Sequence, residues 1–343
     1  MQLSVIIPTL ARCEAVVGAL QSIARAGSAC EIEVIVADNG VDRTLACRVE
    51  AEAAAARLPV RYVAVPAIGL HNGRHAGARA AGGEVLAFLD DDVVVAPGWP
   101  QAIADAFRDP AVALVGGPSV PAFDGPPPTW MEGLWQRTPE AGRYCGLLSL
   151  IELGSEVREV DPRMVWGLNF AIRRAVLEEL RGFHPDGFPW QLRRFRGDGE
   201  VGLTEKVRER RLRSLYEPRA MVRHSIPTDR ATVEYLLRRS TLQGISDSYA
   251  ATRACGRVAL PDRCGLGELM ADGLREALWG MRSAGGDAMR GARTAVLRWR
   301  LRLAWRRGVA YHSLALAREP RLLDWVLRPD YWEAAIADYG GGP

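Results

Sequence analysis

The sequence predicts an α/β fold, in which helices flank a sheet of mostly parallel strands and a helical extension follows at the C-terminal end. Three observations lead to this prediction. Short apolar runs alternate with helical segments along the first half of the chain. Threonine, aspartate and asparagine directly follow several of these apolar runs. After residue 229 the pattern is helical throughout.

The first part of the chain supplies the sheet. Strands are predicted at residues 3–7, 31–37, 60–65 and 84–89, and helices over residues 14–26, 43–57 and 74–82. This alternation is typical of parallel strands joined by right-handed crossovers. The remaining predicted elements are a strand-to-helix unit at 166–174, a helix at the end of the polar segment 197–206, and a last strand at 220–224.

The second part of the chain is predicted to be helical, so we expect one domain at 1–226 and a helical extension at 227–343. Thr228 or Asp229 can cap a helix that runs through Gln243. Further helices are predicted over residues 266–282 and 290–328.

The window 290–328 is rich in positive charge, with ten arginines and two acidic residues. From Leu297 to Leu303 apolar residues alternate with arginine. This period of two conflicts with a clean amphipathic helix, because the charges are not segregated to one face. Contact with an anionic membrane surface and assembly into a homo-oligomer are the two roles that we weigh for this window.

Composition narrows the class of protein. The chain has 343 residues, and its net charge of +3 is too near balance for a dedicated nucleic-acid binder. The longest uncharged stretch, Pro110–Phe123, is shorter than the ~20 residues that a membrane-spanning helix needs. The N-terminal residues lack the features of a signal peptide, and the six cysteines show no metal-ligand spacing. We therefore expect a cytoplasmic protein with reduced thiols, peripheral at most on the inner face of the membrane.

Polar side chains at three strand ends indicate one site, because ligands of parallel sheets bind beyond the carboxyl ends of the strands. These residues are Thr9, Asp38-Asn39 and the run Asp90-Asp91-Asp92. Three adjacent carboxylates repel one another, and a divalent metal that joins them to a phosphorylated ligand relieves this repulsion. The alternative is a solvated acidic turn or a helix N-cap.

Several segments in chain order resemble one known family. They are Ser-Val-Ile-Ile-Pro-Thr (4–9), Val-Ile-Val-Ala-Asp-Asn-Gly (34–40), the glycine-rich stretch 69–84, Phe-Leu-Asp-Asp-Asp (88–92) and Gly-Leu-Asn with Ile-Arg-Arg (167–174). Over residues 3–226 the chain resembles the family 2 glycosyltransferases, bacterial members included. The resemblance implies the GT-A fold, a Rossmann-like mixed sheet flanked by helices that binds a nucleotide-diphospho-sugar.

The resemblance also implies roles for the donor-side residues. Asp38 and Arg74 would recognise the base, and Asp90 or Asp91 the ribose. Pro8 and Thr9 would border the donor. Asp92 and His224 would hold Mn²⁺ or Mg²⁺ together with diphosphate oxygens. His75 stands where the family usually has asparagine, and it is given no role. A lone histidine at a strand end is more often structural, which is the alternative for His224.

The catalytic base is expected from the segment Gly197-Asp198-Gly199-Glu200. Inverting sugar transfer needs a carboxylate that takes the proton from the attacking hydroxyl. The resemblance favours Glu200, with Asp198 as its rival. The alternative is that both carboxylates only begin the following helix and interact with its dipole.

Acceptor and phosphate contacts are the least constrained part of the site. The resemblance implies acceptor-side positions at Trp166, Gly167 and Asn169. Arg230 and Arg239 follow His224 closely enough to reach a diphosphate, although a solvated helix face explains them equally well. Three loop tryptophans are candidates for stacking on a sugar ring, with plain packing as the commoner explanation: Trp130, Trp135 and Trp190.

Together these expectations describe an inverting, metal-dependent glycosyltransferase. Its donor would be a nucleotide-diphosphate sugar, UDP-linked by preference, and its acceptor a hydroxyl of a growing bacterial glycan, a lipid-linked sugar or a small molecule. No nucleic acid is expected as partner. The alternatives are a catalytically silent sugar-nucleotide-binding or assembly protein and a nucleotidyltransferase on the same fold. The segment Thr9–Arg12 is a poor match to the phosphate loop that a nucleotidyltransferase needs.

Overall fold

The computed structural model describes residues 2–138, 142–259 and 288–333, with a few positions between 271 and 278 and residue 336. The strands are β1 (Gln2–Thr9), β2 (Glu31–Asp38), β3 (Val60–Ala64), β4 (Val85–Leu89), β5 (Val93–Val95), β6 (Val112–Gly116), β7 (Ser119–Phe123), β8 (Gln136–Arg137), β9 (Arg143–Cys145), β10 (Leu150–Glu152), β11 (Arg158–Glu159), β12 (Asn169–Arg173), β13 (Arg213–Tyr216) and β14 (Val222–Ile226). The α-helices are α1 (Cys13–Ala26), α2 (Arg43–Ala56), α3 (Leu70–Ala80), α4 (Trp99–Ala106), α5 (Arg174–Glu179), α6 (Glu200–Glu209), α7 (Val233–Cys255), α8 (Ala288–Arg318) and α9 (Pro320–Val326). Short 3-10 helices span Thr129–Leu134, Gly146–Leu148, Pro162–Met164 and Trp190–Phe195.

The main sheet has eight strands in the order β11-β13-β6-β12-β4-β1-β2-β3. The predicted parallel strands β3, β2, β1 and β4 lie side by side. The strands β11 and β12 run against the other six, so the sheet is mixed while most of its strands are parallel to one another, as predicted. This is the mixed α/β architecture that the resemblance implies.

A second sheet of six strands, ordered β5-β14-β7-β10-β9-β8, lies beside the first. This second sheet positions β14, and with it His224, next to the aspartate run. The strand β5 begins immediately after the aspartate run, and it pairs antiparallel with β14 so that Val93 is opposite His224. This register brings the end of β14 next to Asp92.

The two faces of the main sheet pack against different sets of helices. Along β1, Val5 and Ile7 belong to a cluster with residues of α1, while Ile6 belongs to a cluster that contains Ala78 of α3. Alternate strand residues point to opposite faces, so a continuous apolar strand serves both layers. The buried layers hold the strand ends, and with them the polar residues, at a fixed edge of the sheet.

The helical part differs from the sequence prediction at its start. Thr232, not Thr228 or Asp229, caps α7, and its hydroxyl accepts a hydrogen bond from the amide of Tyr235 (3.2 Å). The helix continues past Gln243 to Cys255. Residues 228–231 instead form a turn in which the Arg230 amide donates to the Pro227 carbonyl. The division into domains at residue 226 stays a prediction.

Helix α8 confirms the helical prediction for the arginine-rich window, which continues into α9 after a break at Glu319. Of the predicted helix at 266–282, positions 271, 273–276 and 278 are helical, and the others lie outside the described residues. Over the described parts of the chain, no helix is long and apolar enough to cross a bilayer.

Two glycines set the distance between α7 and α8. A Cβ atom at Gly244 would overlap the carbonyl of Trp305, and one at Gly308 would overlap the carbonyl of Thr241. The backbones therefore touch where the helices cross, and Ser240 adds a hydrogen bond from its hydroxyl to the Leu301 carbonyl (2.6 Å).

We expect Gly308→Ala to destabilise the protein by about 1–3 kcal/mol, because its methyl group has no space against a backbone carbonyl. Gly18→Ala in α1 is the matched control, since nothing lies within 4 Å of its added Cβ. The control should be neutral or stabilising by up to ~1 kcal/mol. Urea unfolding of both variants measures the difference, and equal stability of the two would contradict the close crossing.

Candidate functional site

A cleft of about 620 Å³ opens at the carboxyl ends of β1, β2 and β4. The sequence-predicted residues that line it are Pro8, Thr9, Asp90, Asp91, Asp92, His224, Arg230 and Arg239. Asn39, which the sequence places at the end of β2, also lines it. Residues that the sequence did not indicate complete the wall, among them Arg12, Gly40, the 147–149 segment and Tyr235. The remaining predicted residues lie behind the wall or at its edge.

Each of the three adjacent aspartates faces a different arginine. The pairs are Asp90 with Arg74 (Oδ1 to Nη2, 3.6 Å), Asp91 with Arg12 (Oδ1 to Nη1, 2.6 Å) and Asp92 with Arg230 (Oδ2 to Nη1, 2.7 Å). These arginines come from α3, from the turn after β1 and from the turn before α7. The mutual repulsion of the carboxylates is thereby offset by three separate segments of the chain.

The environments separate the pKa values of the three carboxyls. Burial raises the pKa of Asp91 to about 6, although Arg12 and the Thr9 hydroxyl act in the opposite direction. Burial likewise raises the pKa of Asp90. At Asp92 burial also raises the pKa, but His224, Arg230 and Arg12 outweigh it and hold the pKa below its usual value. Asp92 is therefore the carboxylate that keeps its charge most firmly.

Asp92 and His224 form a pair that suits a divalent cation. The Nδ1–H of His224 donates to the Leu148 carbonyl (3.0 Å), which turns Nε2 towards Asp92, 3.5 Å from Oδ1. This Oδ1 atom is buried and has no hydrogen-bond partner among the described residues. A histidine oriented through its second nitrogen, next to an unpartnered carboxylate oxygen, is a typical start of a metal site.

The protein itself offers few further ligands there. Among the residues that the structure describes, no group of three or more His, Cys, Asp or Glu side chains surrounds a common point. Mg²⁺ and Mn²⁺ commonly take one or two protein ligands and complete their shell with substrate phosphates and water. The residues present therefore fit a metal that binds together with a phosphorylated ligand.

Asp38 lies behind the cleft wall and is fully buried. Its carboxylate accepts four hydrogen bonds, from the amides of Ala11 (3.0 Å), Gly40 (2.7 Å) and Asp42 (2.8 Å) and from the Tyr62 hydroxyl (2.8 Å). Burial raises the pKa of Asp38, but these hydrogen bonds outweigh it and hold the pKa below its usual value. Asp38 thus holds together the loop after β1 and the loop after β2. Asn39 and Gly40, in the second of these loops, form part of the cleft wall.

Arg74 connects the aspartate run to Glu200. Its buried guanidinium lies 3.6 Å from Asp90 and 3.3 Å from Glu200 Oε2, and it also lies over the ring of Phe183. The amide of Gly167 donates to the other oxygen of Glu200 (3.2 Å). The predicted contact of Arg74 with a base stays a prediction, whereas its contacts here are carboxylates.

Asp198, the rival of Glu200, faces a different direction. It accepts a hydrogen bond from His184 Nδ1 (2.7 Å); His184 is buried, and the Asp198 side chain is 9% exposed. The amide of His184 in turn donates to the Gly199 carbonyl (3.0 Å). From α7 the hydroxyl of Ser246 donates to the Gly197 carbonyl (2.7 Å). The turn that precedes Glu200 is thus held from both sides.

The predicted acceptor-side residues are spread out. Asn169 is buried, and its side-chain amide accepts from Trp99 Nε1 (3.0 Å) and donates to the Ala220 carbonyl (2.8 Å), so its groups are already used. Trp166 is half-buried, and its Nε1 donates to the Arg163 carbonyl. Trp130 and Trp190 lie beside α8 rather than in the cleft. Trp135 packs under the guanidinium of Arg143.

Arg12 is the principal residue that sequence reasoning missed. It approaches Asp92 Oδ2 (3.3 Å) as well as Asp91, and it lines the cleft. Arg12 lies three residues after Thr9 and belongs to no recognised motif. The only sequence feature that pointed to a site role was its proximity to a strand end with polar residues. Asn39, indicated by its place at the end of β2, donates from Nδ2 to the Ala67 carbonyl (2.6 Å) and lines the wall.

We expect Asp38→Asn to lower the free energy of unfolding at pH 7 by about 2–4 kcal/mol, because the amide cannot satisfy four donors. The lowered pKa means that the carboxylate stabilises the fold above ~3.9, the pKa of an unfolded aspartate, and that this is lost as the pH falls towards the folded-state pKa. The difference from wild type should therefore shrink below about pH 4. Urea unfolding over pH measures it, with the exposed Asp124→Asn as control; a pH-independent difference would contradict the role.

Comparison with known proteins shows which family the chain belongs to. A relative from Haloferax volcanii, a glucosyl-dolichyl phosphate glucuronosyltransferase, is 26% identical over 52% of this chain and 54% of its own length. The validoxylamine A glucosyltransferase of Streptomyces hygroscopicus is 36% identical over 33% of this chain and 27% of its own length. The chain thus spans about half the length, or less, of these curated relatives.

A solved structure shares the fold. A mannosyltransferase from Pyrobaculum calidifontis, in complex with GDP-Man and Mn²⁺, superposes with a TM-score of 0.52 at 17% identity, and the match covers 92% of this chain and 86% of that one. The model of the family described as glycosyl transferase family 2 matches residues 4–181, which include β1, the aspartate run and β12. The chain therefore belongs to glycosyl transferase family 2.

Proposed function

We propose that the protein transfers a sugar from a nucleotide-diphosphate donor to an acceptor hydroxyl, with inversion at the anomeric carbon and with the help of Mn²⁺ or Mg²⁺. The observation that carries this proposal is the pair of Asp92 and His224 in the cleft. It joins a buried, unpartnered carboxylate oxygen to an oriented imidazole nitrogen. Family membership supports the same reaction class.

The charges around the pair suit a diphosphate. Arg12, Arg230 and Arg239 line the cleft, and the first two contact Asp92. The first two now neutralise Asp91 and Asp92, and their guanidinium groups are the kind that binds phosphate oxygens bidentately. We propose that they turn to the donor diphosphate when it binds. Asp92 and His224 would hold the metal, which when bound supplies positive charge to the leaving diphosphate.

The donor base is proposed to lie against Asn39 and Gly40. Asp38 would support this wall from behind, since its four hydrogen bonds hold both loops. Asp90 or Asp91 would contact the ribose, and Pro8 and Thr9 border the same end of the cleft. UDP is the nucleotide that the sequence resemblance favours, whereas the Pyrobaculum neighbour holds GDP-Man.

Glu200 is proposed as the catalytic base. The bond from the anomeric carbon to the diphosphate oxygen breaks, and its electron pair leaves with the diphosphate. The acceptor oxygen forms the new bond to that carbon, and its proton passes to Glu200. Arg74 and the Gly167 amide fix the direction of the carboxylate. Asp198 is proposed as a positioning residue, because its pairing with buried His184 leaves it turned away from the base position.

The acceptor is proposed only as a hydroxyl compound. The names of the relatives cover a dolichyl phosphate sugar and a small molecule, validoxylamine A. The loop residues at 147–149 and at Gly187 and Pro189 also line the cleft, and we propose that they face the acceptor. Trp166 stays a candidate at the edge.

We expect Glu200→Gln to lower turnover by about 10²–10⁴-fold while donor binding is retained, because the amide cannot take up the proton. Nucleoside-diphosphate release from a panel of nucleotide sugars measures turnover, and thermal shift measures donor binding. Glu209→Gln, on the exposed end of the same helix, is the matched control and should behave as wild type.

Asp198→Asn separates the two carboxylates. As a positioning residue it should lower turnover less than Glu200→Gln and should also lower the melting temperature, since a buried hydrogen bond is weakened. Full turnover of Glu200→Gln together with an inactive but stable Asp198→Asn would make Asp198 the base. Donor binding without turnover by the wild-type enzyme on every donor and acceptor pair would favour a silent sugar-nucleotide-binding protein.

A further inference from the structure

Helix α8 has an unusual distribution of charge. It contains eight arginines and no acidic residue. Three of the arginines, Arg298, Arg302 and Arg306, have partners within the protein; Arg298, for example, pairs with Glu276 (2.5 Å). The internal side of the helix, with Leu297, Leu301 and Ala304, is buried.

Three other arginines form an exposed row. Arg293, Arg300 and Arg307 recur every seven residues, so they lie on one side of the helix. All three are exposed, and none has a hydrogen bond or ion pair through its side chain within the described part of the chain. Neither burial nor pairing with a residue that the structure describes accounts for these three arginines.

An apolar row accompanies the arginines. Met289, Val296 and Leu303 also recur every seven residues, and each lies four positions before one of the three arginines. Residues four apart are neighbours on a helix surface, so the two rows run side by side. Met289 is 67% and Val296 57% exposed. We call these six residues the arginine face: Met289, Arg293, Val296, Arg300, Leu303 and Arg307.

Two grooves run along the arginine face, and a tryptophan lines each of them. One groove of about 610 Å³ lies between this face and Trp130, and another of about 500 Å³ lies between it and Trp190. Trp190 is 41% exposed, and Arg238 of α7 borders the same groove. Tryptophan combines a large apolar ring with a polar N–H and is enriched at the boundary between lipid and water.

The arginine face lies next to the cleft. Helix α7 gives Tyr235 and Arg239 to the cleft and Leu237 and Arg238 to the groove beside α8. In the same way Pro189 lines the cleft and its neighbour Trp190 lines the groove.

We propose that the arginine face docks on the surface of an anionic phospholipid bilayer. Unpaired arginines complement the lipid phosphates, and the exposed methionine, valine and tryptophan side chains can enter the headgroup boundary between them. A nucleic-acid backbone would leave the apolar row beside the arginines without a partner, whereas the headgroup boundary of a bilayer takes up both rows. This docking goes beyond the proposed sugar transfer and does not depend on it, and it would place the cleft close to the membrane.

The test is cosedimentation of the full chain with vesicles of phosphatidylglycerol and phosphatidylcholine, against vesicles of phosphatidylcholine alone. We expect binding only to the anionic vesicles. The triple variant Arg293→Gln, Arg300→Gln, Arg307→Gln should partition roughly 100-fold more weakly. The control is Arg25→Gln, Arg43→Gln, Arg57→Gln, which removes three exposed arginines of α1, α2 and the residue after α2. The control should bind as wild type.

A second variant tests the apolar row. Met289→Ser with Val296→Ser keeps every charge, and it should bind anionic vesicles several-fold more weakly while retaining the wild-type melting temperature. Several outcomes would overturn the proposal: absence of binding to the anionic vesicles, equal loss in both arginine variants, or equal binding to a DNA duplex. One further result would overturn it: the wild-type chain fails to bind vesicles and forms an oligomer in solution, and the triple arginine variant dissociates that oligomer.

Discussion

The site depends on how three adjacent carboxylates are kept together at the end of β4. Asp90, Asp91 and Asp92 would repel one another strongly in a partly buried cleft. Ion pairs offset this repulsion: each aspartate is paired with an arginine, and the three arginines lie in α3, in the turn after β1 and in the turn before α7. Three separate segments around the cleft are thereby attached to the same short run. The cations that face Asp91 and Asp92 also lie where a diphosphate and a metal would need to bind.

The parts of the fold that follow from local pattern could be predicted. Apolar runs and alanine-rich segments predict the strands β1 to β4 and the helices between them. The ends of these strands, which carry Thr9 and the aspartates, could therefore be predicted as well. Helix α3 begins at Leu70, four residues before its predicted start. The residues His71, Asn72 and Gly73 are weak helix formers, and Gly69, with φ of 124°, starts the helix without a polar cap.

Long-range pairings could not be predicted, since no local signal encodes them. The antiparallel direction of β12, the pairing of Asp198 with His184 and the ion pair of Arg12 with Asp91 each join residues far apart in the chain. The alternation in 297–303 reflects three faces of one helix. Leu297 and Leu301 are buried in a cluster with Leu236 of α7, Arg298 and Arg302 have partners within the protein, and Arg300 is exposed. The arginines therefore lie on more than one face, as the sequence pattern indicates.

The most direct test of the account is a thermal shift with UDP, GDP, CDP and dTDP, each with and without Mn²⁺. One nucleotide should raise the melting temperature only when Mn²⁺ is present; saturation at 100 times the dissociation constant stabilises by about 2.7 kcal/mol. Asp92→Asn and His224→Ala, each compared with its own ligand-free form, should lose this rise, and Asp124→Asn should keep it. If no nucleotide gives a Mn²⁺-dependent rise, or if Asp92→Asn keeps the full rise, the metal site at Asp92 and His224 is wrong.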